Sequence, residues 1–150
     1  AWNVCMADGE WYYVDPTWGD SSYTNPDGSN VSFLPEINYD YLLVPLSELS
    51  HTHTSEAVVV MTLATSIRDN YYVREGLYLT GYDFNAVKAM ADGQRALGRQ
   101  ALVVKCADDM VFKATVNDLV DNQKIFDLVN TKEIRYQLEE DRRKLVFALQ

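Results

Sequence analysis

Cysteine is scarce in this chain: Cys5 and Cys106 are the only two, and both lie inside apolar runs. Neither sits in a framework of spacings, so no disulfide scaffold is implied and the redox compartment stays open. Histidine is as scarce. His51 and His53 are two apart and lack a cysteine or carboxylate at a ligand spacing, so no metal site and no cofactor are expected. Basic residues number thirteen against twenty-two acidic ones, giving a net charge of −9. Nucleic acid and anionic membrane surfaces both call for clustered cations, which excludes nucleic acid as a partner. No apolar run approaches the roughly 18 residues of a membrane span. Repeats, low-complexity tracts and a secretory leader are also absent from these residues.

What is present is a core-building composition. The 150 residues are 47% hydrophobic, with ten tyrosines and five phenylalanines, enough for one ordinary domain or one domain and part of another. All three tryptophans, Trp2, Trp11 and Trp18, fall within the first twenty positions.

The pattern predicts mixed structure. Residues 1–15 alternate about Asp8-Gly9, a strong signal for a β-hairpin. Residues 16–30 read as a polar loop, and 31–34 and 39–44 as short strands, with a helical turn over 47–50. The β-branched run at 57–64 reads as a buried strand and the tyrosine-rich 70–79 as an extended segment. Asp83 is placed to cap a helix over 84–97 that stops at Gly98. A strand over 101–106, one helix or two over 114–129, and a closing hairpin over 134–149 complete the chain. The class is α+β with mainly antiparallel pairing, divided into residues 1–66 and a strand–helix–strand–helix–hairpin unit over 67–150.

Hairpin parity carries the functional argument. With a two-residue turn at Asp8-Gly9, Tyr13 faces Val4, Trp11 faces Met6, and Asp15 lies opposite Trp2, all on one face. Cys5 faces Tyr12 on the other face and reads as a packed thiol. A residue directly before Ala1 becomes the diagonal neighbour of Asp15, about 7–8 Å away. A histidine there can donate its ring N–H to the Asp15 carboxylate, the orienting bond of a nucleophile–His–Asp triad.

The stretch "WNVCMADGEWYYVDPTWGD" resembles the His-to-Asp segment of the transglutaminase-like superfamily, a papain-like thiol fold. The match runs through Trp2, Asn3, Gly9, Trp11, Tyr12, Val14, Asp15, Pro16, Thr17, Trp18 and Asp20. A weaker likeness to surface-associated bacterial members continues through "SHTHT" and "NYYVREGLYLTGYD". The resemblance implies that Asp15 is the triad aspartate, that the triad histidine stands just before Ala1, and that the nucleophilic cysteine lies further upstream. Residues 1–66 are then the C-terminal part of a transglutaminase-like core. The parent is expected to act on peptide amides through a thioester, as a peptidase rather than a crosslinker, at the cell surface or outside the cell. Trp2, Trp11 and Trp18 are expected to wall the site. The chain alone, lacking the His and the Cys, is expected to be inactive, and an uncovered N-terminal hairpin to favour a homo-oligomer. The competing expectation is a cell-surface binding or scaffold module that keeps the fold without the chemistry.

Overall fold

The computed structural model describes residues 2–20, 27, 34–35, 37–54 and 62–149. The chain forms two compact units, Ala1–Tyr23 with Glu36–Glu75, and Thr24–Pro35 with Gly76–Gln150. Both contain helices and strands, and the class is α+β.

In the first unit, strands β1 (Asn3–Ala7) and β2 (Glu10–Val14) pair antiparallel in the expected register, Val4 with Tyr13, Cys5 with Tyr12 and Met6 with Trp11. Asp8 and Gly9 have φ of +48° and +84°, the left-handed pair that matches a hairpin turn to the twist of its strands. After β2 the chain turns at once into a short helix, α1 (Pro16–Gly19), where the sequence reading has loop. The reason is local: Asp15 caps the amides of Thr17 and Trp18, and Pro16 fills the first helical position without needing a donor.

Strand β3 (Leu42–Val44) completes the order β1-β2-β3. It is shorter than the strand expected over 39–44, because Tyr39–Tyr41 forms a 3₁₀ turn capped by Asn38. Tyr13 pairs with Val44 and Val14 with Leu42, leaving Leu43 unmatched at φ +54°. This bulge bends β3 and aims the residues before it toward the end of β2, where the Asp15 amide donates to the Tyr41 carbonyl at 3.0 Å. Helix α2 (Leu46–Leu49) follows as expected. Of the strand expected over 57–64, residues 57–61 lie outside the described residues. Leu63 makes a parallel bridge with Trp11. The expectation for 31–33 also falls outside them.

The tyrosine-rich 70–79 is corrected. Tyr71–Arg74 is helical (α3), and only Tyr78–Leu79 (β4) is a strand. Asn70, fully buried, caps the Tyr72 amide and donates to the carbonyls of Tyr39 (2.8 Å) and Leu42 (2.6 Å). One side chain thus starts α3 and ties it to the turn before β3. Beside it, the Asp69 carboxylate accepts from the Tyr12 hydroxyl at 2.6 Å and from Arg74 at 2.7 Å. These bonds hold the 68–74 segment to the hairpin, inside the first unit. The core of this unit is Tyr13, Tyr41, Val44 and Leu49, with Trp2, Val4 and Leu63 packed against it.

The second unit has a four-stranded sheet in the order β4-β5-β7-β6, from β4, β5 (Ala101–Cys106), β6 (Tyr136–Glu139) and β7 (Lys144–Ala148). The β5–β7 and β6–β7 pairs are antiparallel and β4–β5 is parallel. All of β7 and all but the first residue of β5 are buried, the lysines Lys105 and Lys144 included. Helix α4 (Phe84–Ala96) starts at its Asp83 cap, and Gly98 takes φ +72° just beyond it. Helix α5 (Asp109–Val116) starts earlier than the expected 114, because the Asp108 side chain caps the Val111 amide. It passes into a π turn at Asn117–Asp121, and a separate 3₁₀ turn follows at Lys124–Asp127.

Candidate functional site

Asp15 sits where β2 ends and α1 begins, 2% exposed. Its two oxygens have different tasks. Oδ1 accepts from the Thr17 and Trp18 amides at 2.9 and 3.1 Å, and Oδ2 lies 3.1 Å from Nε2 of His53. A carboxylate is acceptor-only, so His53 donates from Nε2.

His53 reaches this place through the end of α2. The His53 amide bonds the Leu49 carbonyl at 3.0 Å and the Thr52 amide bonds it at 3.2 Å, curling the chain so that the imidazole turns inward. Its other nitrogen, Nδ1, lies 2.7 Å from the Thr52 hydroxyl. With Nε2 carrying the proton toward Asp15, Nδ1 of the neutral ring accepts and the Thr52 hydroxyl donates. The rings of Trp18, Trp2 and Tyr41 stand around the imidazole, with centroids 4.9, 5.2 and 5.4 Å away and planes inclined by 62°, 76° and 61°. Edge-on contacts of this kind suit the aromatic quadrupole and keep water from the imidazole–carboxylate hydrogen bond. Both side chains are covered, with 7% of His53 and 2% of Asp15 open to solvent.

The structure therefore joins Asp15, Trp2 and Trp18 at one place and does not bring Trp11 there. Trp11 lies four strand positions before Asp15, about 13 Å of rise, with its backbone bonded to Thr62 and Ala64. Its backbone holds the segment after residue 61. Trp2, expected to be uncovered, packs on the core of its own unit, while Met6 in the same hairpin is 58% exposed. His51 is exposed. His53, weighed in the sequence only as a metal ligand and set aside, is the residue that meets Asp15. Periodicity does not place a loop residue beside a carboxylate 38 positions away.

Neither cysteine is poised as a nucleophile. Cys5 points to the Tyr12 side of the hairpin, and burial pushes its thiol above the ordinary range. Cys106, fully buried in β5, is pushed up by burial too, against smaller opposing effects led by a hydrogen bond with Thr115. Among the described residues no group of three or more His, Cys, Asp or Glu is placed to hold a metal, and no helix is long and apolar enough to cross a membrane. No protein-family model matches the chain, and no curated protein does.

Proposed function

We propose that this chain carries the carboxylate arm of a Cys–His–Asp acyl-transfer site of the transglutaminase-like kind, with Asp15 as the orienting carboxylate. The observation that supports the reading is the division of labour on Asp15: two backbone amides anchor Oδ1, and Oδ2 is presented to an imidazole inside an aromatic wall. A triad aspartate needs this arrangement, because its task is to fix a histidine tautomer and stabilise the imidazolium formed beside a thiolate. The thiolate adds to an amide carbonyl, and the tetrahedral intermediate collapses as the imidazolium gives its proton to the leaving amine. The resulting thioester passes its acyl group to water, or to a second amine. Hydrolysis of peptide amides at or outside the cell surface is the form the resemblance favours. The reading calls for a histidine and a thiol supplied from outside these 150 residues.

One observation favours a second reading. Among the described residues, both oxygens of Asp15 have partners within the chain, as a binding or scaffold module would need for a carboxylate that only holds structure. The upstream coding sequence separates the two. A histidine codon directly before Ala1 and a cysteine some tens of residues earlier, with peptide hydrolysis or hydroxamate formation by the longer protein, support the enzyme. Absence of either residue, or an inert longer protein, leaves the module.

A further inference from the structure

We infer that His53 is a positioning residue for that acyl-transfer site: it holds the Asp15 carboxylate in the plane that receives the catalytic imidazole. The inference rests on the proposed function and adds a residue that the resemblance does not assign. An ionised carboxylate offers about four acceptor positions. Among the described residues, Oδ1 of Asp15 takes two amide N–H groups and Oδ2 takes one imidazole N–H. One position on Oδ2 is left, which is what a second imidazole requires.

The anchor at Oδ1 alone fixes one oxygen. The plane of the carboxylate can still twist about Cβ–Cγ and swing the remaining lone pair of Oδ2. A third bond at the other oxygen stops that twist. His53 is suited to supply it, since its own ring is held at Nδ1 by the Thr52 hydroxyl and on its flanks by Trp2, Trp18 and Tyr41. The Thr52 hydroxyl donates to a neutral ring and accepts from a charged one, so Nε2 keeps its proton on Asp15 in either state. The second nitrogen of His53 meets the Thr52 hydroxyl rather than a thiol, so His53 is assigned the orienting role and not that of the acid–base group.

The test uses the longer protein with its upstream thiol and iodoacetamide as the probe, so that no substrate need be known. Alkylation is followed between about pH 4 and 10, because a thiolate–imidazolium pair reacts at pH values too low for a free thiol, which ionises unaided only at about pH 8.5. His53→Phe is expected to lower the acid-side rate roughly ten- to hundredfold, the scale of a misplaced catalytic group. The alkaline rate, where the thiol ionises unaided, is expected to be unchanged. His53→Gln, whose amide reaches Oδ2 with an N–H, restores most of the acid side, and Thr52→Val falls between. A merely structural residue would alter melting without reshaping this profile. If His53→Phe keeps the acid side while Asp15→Asn loses it, the inference is overturned and the proposed function stands. If Asp15→Asn keeps the acid side too, the proposed function falls and the inference with it. Should His53→Phe fail to fold, His53→Asn, whose amide is too short to reach Oδ2, takes its place, and an acid side equal to that of His53→Gln overturns the inference.

Discussion

The Asp15 carboxylate and the His53 imidazole meet at 3.1 Å across 38 positions of chain, closing the loop after α2 onto the end of the hairpin. The same carboxylate caps α1, so its removal acts twice. Asp15→Ala is expected to lose about 1 kcal/mol for the cap and about 1–3 kcal/mol for the imidazole left without its acceptor. Asp15→Asn, a competent cap, should lose less. Urea unfolding of both variants checks this; an Asp15→Ala midpoint equal to the wild type would show that the pair holds nothing.

Tyr12 and Asp69 form the second buried pair of the first unit and make stability depend on pH at both ends. Burial, then the bond to Asp69, pushes the Tyr12 phenol from 10.0 up to about 12. The hydroxyl of Tyr12, then Arg74, holds the Asp69 carboxyl well below its ordinary 3.8, against the effect of burial. The folded carboxyl is the more acidic, so its contribution is present above pH 3.8 and is lost as pH falls through the lower folded value. The folded phenol keeps its proton longer, so its contribution is present below pH 10.0 and is lost as pH rises toward 12. Tyr12→Phe is expected to cost about 2 kcal/mol near neutral pH, the scale of a hydrogen bond to a charged group, and to flatten both limbs. A variant with an unchanged profile from acid to alkali would assign the pH dependence to other groups.

Much of this fold was legible because its signals are local. The register of β1 and β2 follows from Asp8-Gly9 alone, α4 from Asp83 and Gly98, and the closing hairpin from alternation about a charged tip. The misses share a cause. Tyr71–Arg74 looks extended by composition but is helical because Asn70, buried against the Tyr39 and Leu42 carbonyls, supplies its cap. Helix α5 begins early because Asp108 caps it, although Asp108 and Asp109 look like loop residues. In the site, Asp15 and Trp2 were legible from strand parity, whereas Trp11 shared the parity but not the end of the strand. His53 lies on a loop, where no period applies, and only the long-range fold brings it to Asp15.

Gly93 lies on the exposed side of α4, and a Cβ built there meets nothing within 4 Å. Gly93→Ala should therefore stabilise the second unit by about 0.5–1 kcal/mol, the helix propensity difference. A raised denaturation midpoint checks it; a lowered one would mean that the open space is filled by something else.

The 150-residue chain on its own should show no thiol-dependent amide hydrolysis. Cys5 faces away from Asp15, Cys106 is enclosed in β5, and burial raises both thiols. Mass spectrometry after iodoacetamide at neutral pH should find Cys106 unmodified and Cys5 modified slowly. Peptide hydrolysis that vanishes on Cys5→Ser and survives Cys106→Ser would contradict both the hairpin geometry and the missing-thiol account.

The central claim is that Asp15 orients a catalytic imidazole, and kcat of Asp15→Asn in the longer protein tests it most directly. The substitution keeps the shape and the α1 cap but presents a group that can favour the wrong histidine tautomer. The account predicts a fall in kcat of roughly 10³–10⁴-fold with KM little changed and the circular dichroism spectrum retained. A folded Asp15→Asn protein turning over at the wild-type rate would contradict it.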